Sequence, residues 1–154
     1  MTVLAAACGG FLLAVLWMDL IFDTQVLGQP RENGALPERV LASIAAYYKR
    51  ATTDSFPMGR LIAAVMGIGL IAAVTSLFTG GGALLLRLLA LTLLAGPVAL
   101  AAVRVVPDAV RLGSRKDDLQ TQTALARRIC RDHLVCLAGI AGFIAVELAL
   151  AAAG

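Results

Sequence analysis

The single histidine of the chain, His133, stands between Cys130 and Cys136, and imidazole and thiol are the groups best suited to acid–base, nucleophilic or metal-ligating chemistry. At i−3 and i+3 on a helix the three share one side, but they are spread along about 9 Å of its axis. A structural zinc site instead gathers four ligands, its cysteines within a short turn. The spacing therefore predicts no metal centre, only a hydrogen-bonded histidine beside two thiols packed as small hydrophobes. Charged groups crowd the same region: Asp19 and Asp23 one helical turn apart, Arg104, Asp108 and Arg111, then Arg128 and Asp132. Gathered around one pocket, these would form a site for binding or proton transfer, with Asp19, Asp108, Arg111 and His133 as candidates for its chemistry. The competing expectation is structural, with Asp19 neutralised by Arg104 and Arg128 by Asp132 one turn further on.

Two more ionisable residues, Arg87 and Glu147, fall inside apolar segments, where charge is costly and calls for a partner or a function. They lie roughly 6 and 9 Å from the ends of their segments, at comparable depth. The spacing predicts a buried ion pair between the third and fourth helices or an Arg87 snorkelling outward. The alternative is a site for an anionic group or a proton relay.

The elements that must position these groups follow from composition. Of 154 residues, 60% are hydrophobic, 15% charged and 5% aromatic, with a mean hydropathy of +0.87. A soluble domain carries about 25% charge, so the composition excludes a soluble globular, disordered or disulfide-stapled class. Segments 2–22, 61–79, 83–103 and 134–153 each approach the roughly 20 apolar residues that a bilayer-spanning helix needs. They lack the alternation of barrel strands. The expected fold is all-α, an integral membrane four-helix bundle forming one domain over 1–154. No basic residue precedes Arg31, so the first segment reads as a retained helix rather than a secretory signal.

All but one of the 13 basic residues fall in the connections 23–60 and 104–133. The positive-inside rule places both in the cytoplasm and both termini outside, as for a bacterial inner-membrane protein. The net charge of +3 is accounted for by a basic rim against anionic lipid headgroups, with no nucleic-acid partner.

Within the first connection, 29–34 reads as a turn and 37–51 as an amphipathic helix lying in the interface. That helix either caps the bundle, with Tyr47 and Tyr48 at headgroup depth, or lines a substrate entrance. In the second, Val106-Pro107 is expected to interrupt the third helix and Gly113-Ser114 to turn the chain. The fourth helix then starts near Asp118, ahead of its membrane segment.

The run 80–82 is a tight turn rather than a phosphate loop, since no Lys-Ser/Thr follows it. There is no nucleophile elbow, HExxH or paired CxxC, and no cofactor is implied. Small residues one turn apart, at Gly10/Ala14, Gly59/Ala63, Ala95/Ala99 and Ala138/Gly142, suit close helix packing or a lateral contact with another membrane protein or a second copy. No internal repeat of the transporter kind is present.

The stretch from Val106-Pro107-Asp108 through Arg111, and then Arg127-Arg128-Ile129-Cys130-Arg131-Asp132-His133-Leu134, resembles the second half of the anthrone-oxygenase-like family of small four-helix membrane proteins. The resemblance covers residues 106–134. It implies His133, Asp108, Arg111 and Arg131 as site residues, and cofactor-independent oxidation of a polycyclic phenol as the activity. The aromatic residue that commonly precedes the family's histidine is absent.

Two functions are thus expected. The first is a scaffold or accessory subunit packed against a larger membrane complex. The second is a membrane enzyme or binding protein for a hydrophobic small molecule, using the cytoplasmic-side Asp/Arg/His cluster.

Overall fold

The computed structural model describes residues 1–29, 34–79 and 83–153, apart from the Phe56 side chain. The turns expected at 29–34 and 80–82 fall almost wholly outside the described residues. The rest is helical, with no strand among the described residues. In order come α1 (Thr2–Asp23) with a short 3-10 turn (Thr24–Val26), α2 (Glu38–Lys49) with a π turn (Arg50–Asp54), and α3 (Phe56–Thr79). They are followed by α4 (Leu84–Leu100), a second π turn (Ala101–Val105), α5 (Val106–Ser114) and α6 (Leu119–Ala152).

Four helical stretches are long and apolar enough to cross a membrane: Thr2–Val26, Pro57–Thr79, Leu84–Ser114 and Leu119–Ala152. Each contains or nearly coincides with one of the expected segments. Two run well past the bilayer. At 1.5 Å per residue, the 34-residue α6 is about 51 Å long against a core of roughly 30 Å.

α1 packs on α6 and α3, and α4 on α6 and α3, so each long helix has two neighbours. Their shared core holds Ala5, Leu12, Ala72, Ala90, Leu94 and Phe143. A second core forms at the end carrying α2 and α5, from Leu41, Ile44, Leu112, Ala126 and Ile129 among others. There α2 is amphipathic as its pattern predicts. Its apolar face, however, is covered by α5 and α6 rather than left for lipid. The Leu36 N–H donates to Thr123 Oγ1 at 3.0 Å, fixing the entry to α2 against α6.

The third segment departs from expectation. Val106-Pro107 does not end it: the chain stays helical from Leu84 to Ser114, and the π turn Ala101–Val105 immediately before Pro107 is the wider turn that accommodates a residue without an N–H. Nor does the chain turn at Gly113-Ser114; α5 continues to Ser114 and ends at Arg115, which takes φ 54°. Gly113 serves contact instead. A Cβ there would lie 2.9 Å from the Lys49 backbone nitrogen, so glycine is what lets α5 meet α2. Gly139 does the same for α6 on α4, where a Cβ would lie 2.6 Å from Pro97 Cγ. The small-residue positions Gly10 and Gly59, in contrast, have nothing within 4 Å of an added Cβ and are not used inside the chain.

α6 begins where the acidic pair predicts. The Asp118 carboxylate accepts from Gln120 N–H at 2.9 Å and Thr121 N–H at 3.0 Å, pairing amides that the first turn leaves without partners. Those hydrogen bonds hold its carboxyl below the ordinary carboxylate value.

Candidate functional site

Charged residues at the α2 and α5 end divide into two sets. Three aspartates are held by arginines. Asp132 takes a bidentate fork from Arg104, at 2.6 and 2.9 Å, plus Arg131 at 3.2 Å. Asp108 takes a fork from Arg128 at 2.6 and 2.7 Å, and Asp117 one from Arg111 at 2.8 Å. Arg115 meets Glu38. Planar guanidinium-to-carboxylate forks of this kind fix orientation as well as charge. They tie α6 to the π turn after α4 and to α5, and the connection between α5 and α6 to α5 and α2.

Asp19 and Asp23 belong to the second set. Their hydrogen-bonding partners are tyrosines and His133. Asp23, fully enclosed, accepts from Tyr48 O–H at 2.6 Å on Oδ1 and lies 2.6 Å from His133 Nδ1 through Oδ2. Asp19 accepts from Tyr47 O–H at 2.6 Å on Oδ1, and its Oδ2 lies 3.7 Å from His133 Nε2. Three helices are therefore needed. α1 supplies the carboxylates one turn apart, α2 the adjacent tyrosines and α6 the imidazole. Phe22 stacks on Tyr47 with ring centroids 4.1 Å apart and holds that ring in place.

The chain Tyr47, Asp19, His133, Asp23, Tyr48 has a definite polarity. The contact of Asp23 Oδ2 with Nδ1 leaves Nε2 of His133 to face Asp19; where the carboxylate only accepts, the proton of that contact belongs to Nδ1. Burial first, and then the neighbouring aspartates, push the phenols of Tyr47 and Tyr48 far above their ordinary value of 10.0. Both remain donors throughout the physiological range.

Beside this chain lies a cavity of about 690 Å³. Asp19, Tyr47, Tyr48 and His133 form one end of its wall, with Arg50, Thr52 and Ser55 near them. The remainder is apolar, including Leu16, Ile62, Met66, Val98 and Ile140. Cys136 also lines it and lies 3.7 Å from the Pro97 carbonyl. Met58 and Gly59 of α3 and Ala102, Val106 and Val110 also line it, and all five are exposed.

Of the residues singled out from the sequence, Asp19 and His133 meet at this cavity, while Asp108 and Arg111 are clamped elsewhere and do not line it. Arg104 pairs with Asp132 rather than Asp19. Arg128 reaches Asp108 on α5 rather than Asp132 one turn along its own helix, because a fork between helices gains two aligned hydrogen bonds. Arg87 donates to the Ser76 carbonyl at 3.0 Å, and neither Glu147 carboxylate oxygen has a hydrogen-bond partner among the described residues; Arg87 acts on Glu147 through its charge rather than through a direct hydrogen bond. The hydrogen bonds of Tyr47 and Tyr48 to the aspartates were not legible in sequence; the i, i+4 spacing of Asp19 and Asp23 was the available signal.

Compared with protein-family models, curated proteins and solved structures, the chain matches none of them.

Proposed function

We propose that this chain is a membrane binding protein or enzyme for a hydrophobic small molecule, with His133 and Asp19 as the groups that handle a proton at the bound molecule. The observation that carries this reading is the 690 Å³ apolar cavity whose polar end is formed by Asp19 and His133. A cavity of several hundred Å³ with few convergent polar groups is the usual form of a small-molecule site. Within it, Asp23 acts as the positioning residue: it holds the imidazole ring and its tautomer, while Nε2 is left to exchange a proton with whatever lies beside Asp19. Tyr47 and Tyr48 keep the two carboxylates solvated by hydrogen bonds in a place without bulk water. Oxidation of a phenolic substrate, implied by the resemblance of residues 106–134, would use the same end of the cavity; its Asp108 and Arg111 would contribute only to the scaffold. The Arg and Lys content of the two connections supports a cytoplasmic position for this end.

The test is to extract the protein gently from its native membrane and identify what small molecule travels with it. An Ala102→Trp variant, whose indole would occupy the cavity wall, should lose that molecule while retaining helix content and thermal stability. A wild-type protein that carries no small molecule, or an Ala102→Trp protein that carries it undiminished, would overturn the reading.

A second reading, as an accessory subunit, draws on the small surface positions Gly10 and Gly59, which no described residue elsewhere in the chain approaches. Flat helix faces of this kind suit a lateral membrane partner. Stoichiometric recovery of one other membrane protein would support it.

A further inference from the structure

The hydrogen bonds at the polar end select among the apolar molecules the cavity could hold. Of the four carboxylate oxygens on Asp19 and Asp23, three accept from Tyr47, Tyr48 or His133. The fourth, Oδ2 of Asp19, accepts none from the described residues and stands 3.7 Å from Nε2 of His133, a separation beyond a direct hydrogen bond. Both atoms belong to residues lining the cavity.

We infer that the cavity takes an apolar molecule bearing one neutral hydroxyl, drawn from the bilayer, and that this hydroxyl sits between Nε2 of His133 and Oδ2 of Asp19; the inference rests on the small-molecule reading above. A hydroxyl oxygen fits at about 2.8 Å from both atoms, donating to the carboxylate and accepting from the imidazole when Nε2 carries a proton. A carboxylate or phosphate head would bring a further negative charge beside two aspartates that share one imidazole. An ammonium head has no lone pair to accept from a protonated Nε2 and would face the imidazolium as a like charge. A bare hydrocarbon would strip water from Oδ2 and return no hydrogen bond. The exposed apolar residues Met58, Val106 and Val110 line the cavity, so a molecule dissolved in lipid reaches it without crossing water.

The experiment compares four molecules with one apolar body: dodecanol, dodecane, dodecanoate and dodecylamine. Each is equilibrated with the protein in lipid nanodiscs and with empty discs, and bound molecules are counted by native mass spectrometry. Dodecanol should be retained about tenfold better than the other three, the size of preference that one well-made buried hydrogen bond gives. Asp19→Leu should lower dodecanol to the level of dodecane and leave dodecane unchanged; the wild-type comparison decides the matter even if that variant fails to fold. Equal retention of dodecanol and dodecane, or a preference for dodecanoate or dodecylamine, would overturn the hydroxyl inference while leaving the cavity reading in place. No excess of any of the four over empty discs would overturn both.

Discussion

Asp23 lies 2.6 Å from Nδ1 of His133 across 110 positions of sequence, and its other oxygen accepts from Tyr48 at 2.6 Å. This carboxylate is not part of the wall of the 690 Å³ cavity and meets no arginine among the described residues. Its position makes sense as the anchor of a ring whose opposite nitrogen faces the cavity, the arrangement by which a carboxylate fixes tautomer and direction of a working imidazole.

Replacing Asp23 by Asn would put a donating amide where two donors converge. One of the Tyr48 and His133 contacts would be lost, lowering stability by about 1–3 kcal/mol. Imidazole nitrogen NMR should show the Nδ1–H tautomer lost in Asp23→Leu, which offers the ring no acceptor, and kept in Tyr48→Phe. Retention of the native small molecule should fall in parallel. A variant with unchanged imidazole signals would mean that Asp23 does not set the ring.

The chain has two tyrosines, Tyr47 and Tyr48, so phenolate absorbance reports on this site alone. Burial and the adjacent carboxylates raise both phenols above their ordinary 10.0. A phenol raised in the folded state holds its proton more tightly than in the unfolded chain, so above pH 10 stability falls as pH rises. The phenolate band should therefore remain absent beyond pH 10 and then rise together with loss of helix packing. A smooth titration near 10 in the folded protein would contradict the geometry.

Arg104 and Asp132 should couple where Arg104 and Asp19 do not. In a double-mutant cycle with Arg104→Gln and Asp132→Asn, the interaction energy should be about 0.5–3 kcal/mol, its lower part being favoured because Arg104 is partly exposed. The cycle with Asp19→Asn should give nearly none. The reverse pattern would restore the pairing that the sequence suggested.

Gly113→Ala should destabilise the α2–α5 contact by about 1–3 kcal/mol, since the added Cβ meets the Lys49 backbone at 2.9 Å and backbone cannot yield as a side chain can. Gly67→Ala, with nothing within 4 Å of its Cβ, is the control and should be neutral or slightly stabilising in mid-helix. Thermal unfolding in detergent or nanodiscs would separate the two.

Four membrane-length helices, the amphipathic α2 and the start of α6 at Asp118 were all legible in the order of residues, because each rests on local physics: runs of apolar side chains, a helical period, a capping carboxylate. So was the neighbourhood of Asp19 and Asp23, through their spacing on one face of α1. Which arginine answers which aspartate was decided only by tertiary packing. Arg104 and Asp19 lie at similar depth, and depth alone suggested a pair. The crossing of α4 on α6 at Gly139 and Pro97 instead brings Arg104 to Asp132, and the packing of α2 across the bundle brings Tyr47 and Tyr48 to the two aspartates. Sequence determines how deep a charged residue sits along its own helix. It does not determine the rotation of each helix or the lateral choice of neighbour, and those decide whether a buried carboxylate becomes a clamp held by arginine or a group held by tyrosine and histidine at the wall of a cavity.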